Sequence, residues 1–423
     1  MKILHVSTND NGGAANAAIR IHNSLLNNGI DSSILFLSKS KSNIRNSFYF
    51  EKKYFDDNLT SPTLTLKNYL RERFFKYHTK QKIAHLNKKK AEVEFQNMLS
   101  KDSLINFEVY SSPHTKFDIT EHPIYRESTI IHFHYVSDFV DFNSFFSKNT
   151  KPVVWSLHDE NPYLGAFHFE EDVIENSSNY GFINSEFTEL KRNLIRNTQN
   201  ISFVLASDWI FNKIKDLNLT RVEHLYRINY PINTKFYRSF DKGFVLNYFG
   251  LNENKETIKL LFIAGNIKNK RKGFDLVEPL LKSSLMEKIE LIILGDVDVK
   301  YNHRNINYFG TINEELLMPL FYNLADYLLI PSRNENFSYS KIESLCCGTP
   351  VIAFPVGDQK EFIEKNDFGI IANDVTSDSL IEAIEKAILM KDFFNNDLIS
   401  NKAHDYFKEE KISKELKQVY HNC

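Results

Sequence analysis

Cysteine is scarce: the 423-residue chain has three, two of them adjacent at Cys346 and Cys347. That excludes a disulfide framework and any zinc-ligand spacing, and reduced thiols are the expected state. Long apolar runs are missing as well. No window offers about 18 uninterrupted apolar residues, so no transmembrane helix is expected. The opening "MKILHVSTNDNGG" has one basic residue and a short apolar run, which does not make a signal peptide. Neither sign of charge dominates. With 52 Lys and Arg against 54 Asp and Glu, the net charge of -2 argues against nucleic acid as the main partner. No internal repeat of roughly 20–50 residues is visible.

What is present is a large apolar supply and a regular rhythm. Apolar residues make up 42% of the chain and aromatics 13%, enough for a sizeable core. The length favours two or three domains. "KILHV" reads as a buried strand, "STNDNGG" as a loop, and "AANAAIRIHNSLLNNG" as a helix, with Ala14, Ala18, Ile21 and Leu25 on one face and Gly29 at its end. "SSILFLS" is the next strand, so the chain opens as a parallel α/β sheet does. Residues from about 45 to 125 interrupt the rhythm. Within them, Leu66–Lys90 carries nine cations against Glu72 alone, a local +8. The rhythm resumes in "TIIHFHY", "PVVWSLHD" and "SFVLAS", with a helix "DWIFNKIKDL" behind. Tyr230–Glu256 lacks clean periodicity and reads as a linker. A second α/β run starts at "KLLFIAG" and continues through "IELIILG", "INYFG", "YLLIP", "PVIAF" and "FGIIA".

Several loops at strand ends carry unusual residues. Gly12 and Gly13 lie between the first strand and first helix, where backbone N–H groups approach an anion or simply make a turn. The pattern is neither G-x-G-x-x-G nor a P-loop. His158 and Asp159 end a strand, as substrate contacts or as structural residues. His132 and His134 alternate along a strand, but no third convergent ligand is apparent, so no metal site is expected. "GNIKNKRKGFDLV" clusters Lys268, Lys270, Arg271 and Lys272 before Gly273, which suits a diphosphate or a solvated basic loop. Asp296 and Asp298 in "GDVDVK" read as an ordinary loop pair. In "PSRNENFSYSKIES", Glu335 lies in a loop and Glu343 inside the next helix, which Ser338 or Ser340 caps. The two glutamates are therefore not equivalent, although an ordinary acidic helix face would show the same spacing.

Together these stretches resemble a family 4 retaining glycosyltransferase of GT-B fold, over almost the whole chain. "ADYLLIPSRNENFSYSKIESLCCGTPVIAF" is similar to that family's Pro-Ser, Glu, seven residues, Glu and Gly-x-Pro-Val pattern. "GGAANAAIRIHNSL" and "VVWSLHDENPYLGAFHF" resemble a subgroup acting in bacterial surface-polysaccharide assembly of the colanic-acid, O-antigen or capsule type. The resemblance implies two doubly wound Rossmann-like domains facing a cleft. Residues 1–235 would bind acceptor, with the basic insertion at about 50–125. Residues 236–400 would bind the nucleotide-sugar donor, and 401–423 would be a helix packing back on the first domain. Gly12 and Gly13 would face the donor diphosphate and His158 the donor sugar or reacting region. Arg271 and Lys272 would neutralise the leaving diphosphate. Glu335 would bind sugar hydroxyls, Phe337 and Ser338 would offer backbone N–H groups, and Glu343 would bind ribose. Where the subgroup has Trp, Thr and Cys after His-Asp-x, this chain has Asn161, Leu164 and Phe167. Where the family has Gly-Gly, it has Gly357-Asp358.

The expected reaction is transfer of a sugar from a UDP- or GDP-sugar to a hydroxyl of a glycan acceptor, such as a polyprenyl-diphosphate-linked one. No cofactor and no metal are expected. The +8 segment, with Leu66, Leu70, Phe74 and Phe75, suits either an anionic membrane surface or a solvated helix. A cytoplasmic protein is expected, and the membrane alternative would make it peripheral on the inner face of the cytoplasmic membrane. A sugar-nucleotide epimerase on the same fold and an inactive partner protein are the competing readings.

Overall fold

The computed structural model describes residues 1–41, 43–50, 107–252, 256–296, 301–312 and 314–423. The basic segment Leu66–Lys90 and Asp298 lie outside the described residues. Two compact units emerge: one of residues 1–206, 211–228 and 413–423, the other of 207–210 and 229–412.

The first unit is built on seven parallel strands: β1 (Lys2–Ser7), β2 (Asp31–Phe36), β3 (Ser47–Tyr49), β4 (Ile130–Phe133), β5 (Val153–Ser156), β6 (Ile201–Leu205) and β7 (Leu225–Arg227). Their order is β3-β2-β1-β4-β5-β6-β7. Every residue of β4, β5 and β6 is buried. A parallel sheet covered by helices on both faces needs such continuous apolar runs. "TIIHFHY" and "PVVWSLHD" therefore read clearly as strands, but only their middles pair. His134, His158 and Asp159 fall just past the strand ends. Trp155 packs edge-on against Phe133 at 5.3 Å, and burying each such side chain stabilises by about 2–3 kcal/mol.

The second unit has six parallel strands: β8 (Ile258–Asn266), β9 (Ile289–Asp296), β10 (Ile306–Gly310), β11 (Tyr327–Ile330), β12 (Val351–Ala353) and β13 (Gly369–Ile371). Their order is β10-β9-β8-β11-β12-β13. Alternate residues feed two cores. Leu261, Ile292, Leu328 and Val351 pack on one face, and Leu260, Phe262, Leu291, Leu329 and Ile352 on the other. The segment expected to be a linker is instead integral to this unit. Tyr230, Ile232, Tyr237 and Val245 are buried, and a helix at Lys242–Tyr248 starts at Asp241, whose carboxylate accepts from Phe244 N at 2.8 Å. Its apolar residues are too irregularly spaced to show a helical period. The Ile232 amide donates to Phe407 O at 2.8 Å.

In each sheet the order of strands reverses beside one strand: β1 in the first unit, β8 in the second. Loops leaving the C-terminal ends of strands at such a reversal diverge and leave a crevice for a ligand. The glycine loop follows β1, and the basic loop follows β8.

Candidate functional site

In the second unit the loops after β8 and β11 are locked together. Gly273, at φ 72°, closes the basic loop, and a Cβ there would sit 1.8 Å from Pro331 O. Only glycine permits that approach in a left-handed conformation. Arg333 N donates to Arg271 O at 2.8 Å. The Arg333 guanidinium donates to both carboxylate oxygens of Asp275, at 2.7 and 2.6 Å, and to Lys270 O at 2.6 Å.

This clamp brings three of the sequence-predicted residues together. Lys272 Nζ lies 2.5 Å from Glu335 Oε1, and Arg271 Nη1 lies 3.8 Å from the same oxygen. Ser332 Oγ donates to it at 3.0 Å, and Arg271 also donates to Asn334 O at 3.1 Å. Glu335 is buried, at 7% exposure. Burial works to raise its pKa, but the Lys272 ammonium and then the Arg271 guanidinium outweigh it and hold the carboxyl at about 2. At neutral pH this group is a fixed carboxylate: it accepts hydrogen bonds and is no general acid.

Ser338 caps the helix Tyr339–Cys346, accepting from Lys341 N at 3.4 Å. Phe337 packs edge-on against Tyr230 at 5.0 Å. Glu343 is buried inside this helix and accepts from the Tyr322 hydroxyl at 2.6 Å. The two glutamates thus have different partners and sit on different elements. Lys341, with no exposed surface, pairs with Asp358 at 2.7 Å. Gly357, at φ 56°, brings that loop against Glu335: a Cβ would lie 1.8 Å from Glu335 O. Ser332, Tyr322 and the Lys341–Asp358 pair were not identified from sequence. A serine, a tyrosine and a lone lysine carry no spacing signal.

The remaining expected residues lie in the first unit. Gly12 caps the helix Gly13–Asn27 at φ 88°, and both glycines are exposed. Asp10 braces the loop, accepting from the Ser40 and Lys41 amides at 2.7 Å each. The Thr8 hydroxyl donates to Ser137 O at 2.6 Å. His158 follows β5, two strands away in the same sheet. Its pKa falls to about 4, because burial penalises the cation more than Asp159 favours it. Asp159 bonds His168 Nδ1 at 2.6 Å, and His168 Nε2 meets Ser111 Oγ at 2.8 Å. His168 and Ser111 are each 1% exposed, so the chain of three groups is a buried brace rather than a nucleophile. Asn161 donates to the carbonyls of Gly165, Ala166 and Phe167, and buried Lys191 Nζ holds Asn161 Oδ1 at 2.7 Å. Leu164 and Phe167 are buried. The three positions that depart from the subgroup pattern are thus all buried, with the Asn161 amide holding the backbone from Gly165 to Phe167.

The third imidazole that seemed missing beside His132 and His134 is His5 on β1. One nitrogen from each of the three lies within 4.8 Å of the others. His5 and His132 are register partners on neighbouring strands, yet 127 residues separate them in sequence. Cys346 and Cys347 are buried, and Cys423 is half-buried. No helix among the described residues is long and apolar enough to cross a membrane.

Residues 258–389 match the family model "Glycosyl transferases group 1". A 41.2 kDa protein in the cps region of Klebsiella pneumoniae is 31% identical over 141 residues, covering 32% of this chain and 38% of that protein. A glycosyltransferase of Methanocaldococcus jannaschii is 26% identical over 176 residues, covering 38% of this chain and 44% of that one. The chain thus spans less than half the length of either relative. Three solved structures match nearly end to end. Sucrose-phosphate synthase from Thermosynechococcus elongatus has TM-score 0.66 at 14% identity, covering 100% of this chain and 98% of its own. Anabaena HepE, solved in complex with UDP and glucose, has TM-score 0.64 at 14% identity, with both chains covered at 100%. WaaG, a glycosyltransferase involved in lipopolysaccharide biosynthesis, has TM-score 0.59 at 15% identity, covering 97% and 98%. At such identities the likeness is one of fold, and the fold is GT-B.

Proposed function

We propose that the protein is a retaining glycosyltransferase that moves a sugar from a nucleotide-diphosphate sugar to a hydroxyl of a glycan acceptor in bacterial surface-polysaccharide assembly. The observation that carries this reading is the Arg271–Lys272–Glu335 cluster, placed at the β8 reversal inside the stretch that matches group 1 glycosyl transferases. The relative in a cps region and the structural likeness to WaaG support the pathway. The likeness to HepE supports a UDP-linked donor.

Each residue has a role in this reading. Breaking a sugar–diphosphate bond builds negative charge on the leaving oxygens and cationic character on the sugar. Arg271 and Lys272 stabilise the first, already oriented by the clamp, and such preorganisation is usually the largest catalytic contribution. Glu335 stays ionised and accepts from sugar hydroxyls. Glu343, oriented by Tyr322, accepts from ribose hydroxyls. The start of the helix at Phe337 and Ser338 and the loop at Gly12 and Gly13 present N–H groups to phosphate oxygens. His158 contacts the donor sugar. The acceptor attacks from the face the diphosphate leaves, and its proton passes to the departing phosphate oxygen, so no protein base and no divalent ion are needed. Incubation with a panel of UDP- and GDP-sugars, followed by NMR of the sugar product, tests this. Nucleotide release with a retained anomer is expected. An inverted anomer sinks the retaining mechanism, and release from none of the panel sinks the transferase reading.

A further inference from the structure

The two units repeat one layout, and the repeat gives a place to a carboxylate that the proposed reaction does not use. In each sheet the ligand crevice lies between the loops of the two strands at the reversal, β1 and β4 in the first unit, β8 and β11 in the second. The loops after β4 and β11 match in spacing. Glu335 lies five residues past Ile330, the end of β11, and Asp138 lies five residues past Phe133, the end of β4. The two helix caps, Ser338 and Asp141, each stand eight residues past the same strand ends, and the Asp141 carboxylate accepts from Ser144 N at 2.7 Å. The helices then start at Tyr339 and Phe142. The loops are also locked in pairs alike. Arg333 N donates to Arg271 O in the second unit, and in the first Thr8 N donates to Tyr135 O at 2.6 Å while the Thr8 hydroxyl donates to Ser137 O at 2.6 Å. Ser137 Oγ donates to Asn161 Oδ1 at 3.2 Å, which ties in the loop after β5.

Asp138 thus occupies in the first unit the place that Glu335 occupies in the second, in a different electrostatic setting. Glu335 is buried against Lys272 and Arg271. The loop after β1, "STNDNGG", has no Lys or Arg to do the same. Asp138 is exposed, yet desolvation by the surrounding loops raises its pKa, and both hold together for a group in a recess. Lys191 opposes that rise through space, but its ammonium is bonded to Asn161 Oδ1 at 2.7 Å and to Gly165 O at 2.5 Å. The Ser112 amide supplies one hydrogen bond to the Asp138 carboxylate, which has lone pairs for about four. The backbone at Asp138 has φ 58°, a left-handed conformation that aspartate tolerates and glycine adopts without steric cost.

We propose that Asp138 is the acceptor-side counterpart of Glu335: it accepts hydrogen bonds from the hydroxyls of a sugar bound in the crevice of the first unit, and so helps select the glycan acceptor. The place of the carboxylate follows from the repeat. That its ligand is the acceptor rests on the function proposed above.

The test is binding of methyl glucoside, methyl galactoside, methyl mannoside and methyl N-acetylglucosaminide to the full chain, followed by saturation-transfer NMR. Wild type should bind at least one of the four. Lys272→Ala should bind it equally well, which separates this site from the donor cluster. Asp138→Gly removes the carboxylate and suits φ 58°, so it should fold and lose at least tenfold in affinity. Asp138→Asn, whose amide oxygen still accepts, should lose less. If Asp138→Gly does not fold, Asp138→Asn decides, and wild-type affinity there would overturn the proposal. So would a wild type that binds none of the four, a folded Asp138→Gly that binds as wild type does, or a loss in Lys272→Ala as large as in Asp138→Gly. The two readings fail separately. An active transferase whose glycoside binding ignores Asp138 removes only this role, and a protein that binds glycosides through Asp138 but transfers no sugar removes only the function.

Discussion

Replacing Lys272 by Ala separates the catalytic from the structural work of the cation cluster. Lys272 Nζ lies 2.5 Å from Glu335 Oε1, and the substitution removes that bond. It does not orphan the carboxylate, because Arg271 at 3.8 Å and Ser332 at 3.0 Å remain. The folding cost is therefore that of one charge-assisted hydrogen bond, about 1.5–3 kcal/mol, and not that of a naked buried charge. For a unit of this size it lowers the melting temperature by roughly 3–12 °C. The catalytic cost is larger. Losing one preorganised group at the developing charge costs about 2.7–4 kcal/mol, or roughly 10²–10³ in kcat. Because that charge is greatest in the transition state, kcat falls more than donor KM rises. Steady-state nucleotide release, read beside a cooperative thermal melt, measures both. Activity within threefold of wild type in a folded Lys272→Ala protein would refute the leaving-group role.

Three further outcomes follow from the same geometry. Gly273→Ala places a Cβ 1.8 Å from Pro331 O in a left-handed turn, so the clamp must open; donor affinity should fall at least tenfold, and wild-type affinity by titration calorimetry would contradict it. Burial and mutual repulsion lower His132 to about 3 and burial lowers His22 to about 4, against 6.5 when unfolded. These rings stay neutral in the fold while the unfolded chain takes up protons, so stability is intact above about pH 6.5. Each ring then costs about 1.4 kcal/mol per pH unit as pH falls toward its folded value; a melting temperature flat from pH 7 to pH 5 would refute this. Finally, excess EDTA should leave sugar transfer unchanged, and a requirement for added Mg²⁺ or Mn²⁺ would refute the metal-free mechanism.

The fold was legible because buried parallel strands leave a coarse signal. "KLLFIAG" and "IELIILG" are largely apolar runs ending in glycine, and the first leads through the basic loop into the helix Phe274–Leu281, which buries Phe274, Val277, Leu280 and Leu281. The Tyr230–Glu256 stretch was not legible, since its burial depends on single residues such as Ile232 reaching Phe407, 175 positions away. In the candidate site, the residue types were legible from loop position: cations after β8, carboxylates around β11. Their pairing was not. Lys272 and Glu335 are 63 residues apart and meet only because β8 and β11 are sheet neighbours. The cluster of His5, His132 and His134 was half visible, in "IIHFHY". His5 joins it because β1 lies beside β4, a neighbour set by topology and not by local spacing.

The central claim is that the cluster after β8 and β11 binds a nucleoside diphosphate. The most direct test is titration calorimetry of UDP and GDP into wild type and into Arg271→Ala/Lys272→Ala, with folding checked by thermal melt. Wild type should bind one of the two nucleotides at one site, and the folded double variant should lose at least a hundredfold in affinity. A wild type that binds neither nucleotide, or a double variant that binds as wild type does, would contradict the account.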